Sequence, residues 1–138
     1  MHATWFFILH TEKQEVKSLL EKVNYTCRYS VGLFYDKEVP VQKDQVHAFN
    51  FVSDDPVIRF WSLENLKRAA GDSTKMQGPS SIVVHTSTDF GRDHLEDKPD
   101  TQKTFLEDKI IDKIEFIRRL PAPSFVKCHK WKFSQVHG

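Results

Sequence analysis

Apolar residues recur along this chain with two periods. Val16, Leu19, Leu20 and Val23 stand at the i, i+3, i+4, i+7 spacing of a helix stripe. Thr11-Glu12-Lys13-Gln14 just ahead is a capping box, in which threonine oxygen and glutamine side chain can satisfy each other's backbone donors. The spacing predicts a helix over 12–23, stopped at Asn24. Leu106, Ile110, Ile114 and Ile117, widened by Phe105 and Ile111, predict a second helix from Asp100 to about Arg119, where Leu120-Pro121-Ala122-Pro123 ends it.

The other period is two. In 28–35, Tyr29, Val31, Leu33 and Tyr35 fall on one face of a strand, and Ser30, Gly32 and Phe34 on the other. Gly32 leaves a bare spot there, open to a ligand or another backbone. Residues 46–52 and 57–63 predict two strands joined by the turn Ser53-Asp54-Asp55-Pro56. The β-branched run 81–87 predicts a buried strand. Residues 125–136, FVKCHKWKFSQV, predict a last strand, and 4–9 a first strand of uncertain partner. Residues 64–70 hold a helical turn or two, 71–79 are loop, and 88–99 are polar and irregular. Short connections between the middle strands imply an α+β fold, a mainly antiparallel sheet with two main helices packed on one side. One domain spans 1–138. A long strand so close to the end of the chain suggests a portion of a larger protein.

Charge narrows the function. Lys and Arg number 20 against 19 Asp and Glu, so no global field attracts nucleic acid or an anionic membrane. The longest apolar run, 5–9, is too short for a membrane span or a signal-peptide core. Cys27 and Cys128 are too far apart in sequence for a metal knuckle and fit a reducing compartment, hence a cytoplasmic expectation. No HExxH, CxxC, GxSxG, P-loop or GxGxxG occurs, so neither a metal site, a catalytic nucleophile nor a dinucleotide-binding loop is expected.

Three features invite chemistry. His85, inside the apolar run 82–86, is either a core histidine bonded to backbone or a polar group presented to a pocket from a rigid strand. Arg59, between Ile58 and Phe60, is expected to share a face with Val57 and Trp61. It is either paired with Asp54 or Asp55 or a fork for a polar ligand. In the last strand Lys127, His129, Trp131 and Phe133 share a face. Its mix of cations and aromatics could stack on bases, a weaker reading given the near-zero net charge.

Four blocks resemble the renalases. Tyr29-Ser30-Val31-Gly32-Leu33-Phe34-Tyr35 is similar to their R-Y-A-L-G-L-F-Y segment, and Pro56-Val57-Ile58-Arg59-Phe60 to P-C-I-R-F. Residues 78–86, GPSSIVVHT, with Phe90-Gly91 after them, resemble G-P-S-L-V-I-H-T and F-G, and residues 127–136 resemble K-C-x-K-W-R-x-S-Q-V. The blocks follow family order from about Ile8 to Val136, while residues 1–7 match nothing in the pattern. The resemblance implies the substrate-binding domain of a hydroxybenzoate-hydroxylase-like flavoprotein, roofing an FAD held by a separate Rossmann-like domain. It further implies oxidation of isomeric dihydronicotinamide dinucleotides by hydride transfer to flavin, an activity first named as amine oxidation. His85, Arg59, Phe51 and Trp131 would then line the substrate pocket, with no catalytic residue of their own. Phe51 stands where the family often has tyrosine. With neither GxGxxG nor the family's G-G-D segment present, this chain would be inactive alone. The competing expectation is a non-catalytic binding protein that kept the sheet without the flavin site.

Overall fold

Alternation along the strands is what builds this molecule, because it gives one sheet a buried face and an open one. The computed structural model describes residues 14–41, 46–97 and 113–137. Its elements in chain order are α1 (Gln14–Glu21), β1 (Asn24–Tyr35), β2 (Phe49–Phe51), β3 (Ile58–Leu63), α2 (Glu64–Arg68), β4 (Ser80–Thr86), α3 (Thr88–Asp93), α4 (Glu115–Arg118) and β5 (Phe125–His137). A short 3-10 turn, Ser73–Lys75, lies before β4. The five strands form one antiparallel sheet in the order β2-β3-β4-β1-β5. The fold is therefore α+β with a mainly antiparallel sheet, as the strand pattern predicts.

The interior strand β1 pairs with β4 through Val31↔Val84 and Leu33↔Ile82, and with β5 through Val31↔Cys128. Val31, Leu33, Ile82 and Val84, with Tyr29, Leu63 and Ile58, form a core that is essentially sealed from water, and Cys128 packs half-buried against it. The buried Thr86 hydroxyl accepts from Tyr29 N at 2.9 Å. The buried Asn65 amide donates to the carbonyls of Gln77 and Pro79 and accepts from Ser81 N, tying the loop to the start of β4.

Helices cover this face closely. Residues 88–93, expected to be irregular, form α3. Ser87 Oγ caps it by accepting from Phe90 N at 3.1 Å. Gly91 lets α3 press on β1: a Cβ there would lie 2.0 Å from the carbonyl oxygen of Cys27. Phe90 meets the Tyr29 ring edge-on at 6.0 Å.

Three further expectations change. The helix predicted to run to Arg119 is interrupted at Ile114, whose φ −95° and ψ 104° are extended; only Glu115–Arg118 continues as α4. Burial of Ile114 and Ile117, the stacking of Phe116 on Trp61 at 5.2 Å and the Lys113–Asp55 ion pair at 2.9 Å outweigh the local helical stripe. The strand expected over 46–52 shrinks to Phe49–Phe51. The stripe of α1 is not buried, with Leu19 64% exposed. Residues 4–9, Thr11 to Lys13 of the capping box and most of the helix expected from Asp100 lie outside the described residues.

Candidate functional site

The open face carries a continuous row of rings and polar groups, one contribution from each strand. Antiparallel register places Phe51 opposite Phe60, Phe60 opposite His85, His85 opposite Ser30 and Ser30 opposite His129. The side chains meet as the register requires. Phe51 and Phe60 lie 5.8 Å apart between centroids, and Phe60 stacks on the His85 ring at 4.5 Å and 18°. His85 Nδ1 lies 3.0 Å from Ser30 Oγ. Trp131 Nε1 donates to the same oxygen at 3.0 Å, and His129 meets the indole edge-on at 4.5 Å. At about 4.8 Å per strand, a row crossing five strands spans roughly 19 Å.

Three of the four expected residues thus come together. Phe51 is 77% exposed and Trp131 50%, while His85 is half-buried. Among the described residues, the hydrogen-bond partner of His85 is the Ser30 side chain and not backbone.

Arg59 does not join them. The β3–β4 register shifts between Ile58 and Phe60, so Arg59 is the additional residue of a β-bulge. Ile58 and Trp61 turn into the core, and Arg59 is exposed instead of sharing their face. Nor does it pair with Asp55. That carboxylate accepts from Val57 N and Ile58 N at 2.7 and 2.8 Å and pairs with Lys113. Burial alone would raise the Asp55 pKa, but these bonds outweigh it and hold the pKa below the usual value.

The structure adds Phe60, Ser30 and Arg28 to the row. Arg28 Nη2 donates to Gln135 Oε1 at 3.0 Å, while its buried Nε has no hydrogen-bond partner among the described residues. The period-2 pattern does place Ser30 on the face opposite Tyr29. It cannot say which β4 residue Ser30 meets. Gly32 also departs from expectation: its bare spot is filled by the Phe34 ring, which a Cβ would meet at 3.0 Å. No ligand or second backbone is needed to explain it.

Burial lowers the His85 pKa, and the positive charge of Arg28 lowers it further; Glu64 opposes the shift and Lys67 adds to it. The ring is therefore held neutral near pH 7 and can donate a hydrogen bond without carrying charge. Among the described residues no carboxylate occupies a strand position on this face around the row, whereas Arg28 and Lys127 do; the Glu64 carboxylate, from α2, accepts from Ser62 Oγ at 2.7 Å.

The described residues do not fit the phosphates of a dinucleotide cofactor. The glycines at Gly91 and Gly32 are used for contacts within the chain, and Gly71 and Gly78 lie in a loop with positive φ. The N-terminus of α3 is taken by Ser87, and that of the 3-10 turn by Asp72, whose negative charge would repel phosphate. Among the described residues no three His, Cys, Asp or Glu side chains group as metal ligands. No helix of these residues is long and apolar enough to cross a membrane. A cleft of about 540 Å³ opens on the other side of the sheet, by Trp61 and Phe116. Its polar groups are already engaged: Lys113 by Asp55, Arg119 by Glu115, and Asn50 by the His47 backbone.

The sheet and its covering helices define a fold also seen in an oxidase. A crystal structure described as a protoporphyrinogen oxidase from Exiguobacterium sp. 255-15 superposes with a TM-score of 0.54, covering 86% of this chain and 25% of that one at 11% identity. At that identity the likeness is one of fold. In sequence, the chain is 36% identical to mouse (Mus musculus) renalase over 131 residues, 94% of its own length, and is a renalase homologue over that span. It spans about a third, 35%, of that relative. No protein-family model matches the chain.

Proposed function

We propose that this sheet is the substrate-binding wall of a renalase-like, FAD-dependent oxidoreductase, with the flavin gripped by polypeptide other than the residues described. The observation that carries this is the row Phe51–Phe60–His85–Ser30–Trp131, rigid and open on one side. Stacking rings suit a planar substrate, and a neutral imidazole suits an acceptor oxygen on it. With Arg28 and Lys127 on the face, and the nearby Glu64 carboxylate already paired with Lys67 at 2.8 Å, a cationic amine is disfavoured there. A dihydronicotinamide dinucleotide, with a flat carboxamide-bearing ring and anionic phosphates, is favoured. The flavin would supply the redox step. The sheet would bind, orient and exclude water. His85, Trp131 and Phe51 hold the substrate in this proposal, and exposed Arg59 serves only at its margin.

The test is steady-state kinetics on this chain completed with renalase flavin-binding segments. His85→Ala and Trp131→Ala are each expected to lower kcat/KM for an isomeric dihydronicotinamide about 5- to 150-fold, for one lost hydrogen bond or stacking contact of about 1–3 kcal/mol. Visible flavin absorbance should stay unchanged. Arg59→Ala should lower kcat/KM less than either. The chain alone, purified with excess FAD, is expected to retain none and to be inactive. Full activity in both the His85 and Trp131 variants would overturn the proposal.

A further inference from the structure

The row contains a hydrogen-bond chain whose direction can be worked out from its donors. An indole Nε1–H can only donate, so at 3.0 Å from Trp131 Nε1 the Ser30 hydroxyl must accept. That hydroxyl has one proton of its own. The other polar atom bonded to Ser30 Oγ is His85 Nδ1, at 3.0 Å. Sending the proton there satisfies both hydrogen bonds at Ser30, and the donor left over is the ring's own Nε2–H, on the edge turned away from Ser30. The reverse arrangement, with Nδ1–H donating to Ser30, leaves the hydroxyl proton with no acceptor among the described residues.

We propose that Ser30 is a positioning residue that sets the tautomer of His85: Trp131 Nε1–H donates to Ser30 Oγ, Ser30 donates to His85 Nδ1, and the ring proton is held on Nε2. The half-buried hydroxyl is held between the Trp131 and His85 rings by these two bonds. Phe60, stacked at 18°, fixes the ring plane. Nε2 has no partner among the described residues, so its N–H is left available to an acceptor oxygen, a carbonyl or carboxamide, of a molecule lying on the face. The charges around the ring agree. Arg28 on β1 and Lys67 on α2 disfavour the doubly protonated imidazolium, in which Nδ1 would have to donate, and Glu64 opposes them only in part. Trp131 then has two tasks, stacking and polarising Ser30, and Ser30 acts only through His85. The place of Nε2–H in substrate binding rests on the function proposed above, whereas the tautomer does not.

Long-range ¹H–¹⁵N correlation spectra of the ¹⁵N-labelled chain test this, with His85→Gln assigning the ring signals. The expected wild-type pattern is an unprotonated Nδ1 and a protonated Nε2 at neutral pH. Ser30→Ala removes only a hydroxyl. It should move both nitrogens towards the average of two exchanging tautomers, and Ser30→Thr should restore the wild-type pattern. Trp131→Phe, which keeps a ring but loses the donor, should give a smaller move in the same direction. A protonated Nδ1 in the wild type would overturn the assignment, as would an unchanged pattern in Ser30→Ala. Titration of the completed protein with a dihydronicotinamide separates the two proposals. If the tautomer is as stated but the His85 signals ignore the ligand, the substrate-wall proposal fails and the role of Ser30 stands.

Discussion

The two faces of the sheet are made by alternate residues of the same strands, yet they obey different rules. On the helix side Val31, Leu33, Ile82 and Val84 are fully buried, and even a glycine is committed, because the carbonyl of Cys27 fills the space beside Gly91. On the open side Phe51 and Trp131 keep half or more of their surface in water, and the space at Gly32 is filled by the Phe34 ring. Packing decides the first face. On the second, rings and hydrogen bonds are organised without being covered, which costs stability and is the arrangement expected where a ligand or another surface must arrive.

The comparison breaks if the faces respond alike to truncation. Leu33→Ala should cost about 2–5 kcal/mol in chemical denaturation. Phe51→Ala, which loses the ring contact with Phe60 at 5.8 Å, should cost about 1 kcal/mol or less. Equal losses would mean that the open face is covered in solution. Gly91→Ala should cost about 3 kcal/mol, since the clash is with backbone that cannot swing aside. Its measure is the same denaturation midpoint, and a neutral outcome would show that α3 does not press on β1.

A pH dependence sharpens the difference further. The folded chain keeps His85 neutral at pH values where the unfolded chain, at an ordinary pKa of 6.5, takes up a proton. The stability contributed by the neutral ring is therefore complete above pH 6.5. It is lost as pH falls through 6.5 towards the lower folded-state pKa. His85→Gln should flatten that part of the stability–pH curve, read from melting temperatures across the range. An unchanged slope would mean that the ring is not desolvated. The smallest effect belongs to Gly32→Ala, at about 1 kcal/mol or less, because the Phe34 ring is free to move. A loss as large as that of Gly91→Ala would erase the contrast between the faces.

Strand identity and face were legible in the chain because a period of two is local: each residue's neighbours two positions away report its side. That is how Tyr29, Val31 and Leu33 could be assigned to one face, and why the long β5 was plain. The aromatic and polar character of His85, Phe51 and Trp131 was equally visible residue by residue. Three things were not. Arg59 reads as in phase with Trp61, but a bulge adds one residue and moves it out of the face, and a bulge depends on the partner strand. Residues 88–93 read as irregular because their helix is short and held by a cap and by contact of Gly91 with β1, not by a stripe of its own. Ser30 reads as one small polar residue among several. Its hydrogen bonds to His85 and Trp131 come from residues 55 and 101 positions away. Periodicity is a property of neighbours in sequence, so the chain alone determined which residues share a face. Register and bulges are properties of pairs of strands, so only the tertiary structure decided which residues on the open face meet, and in what order.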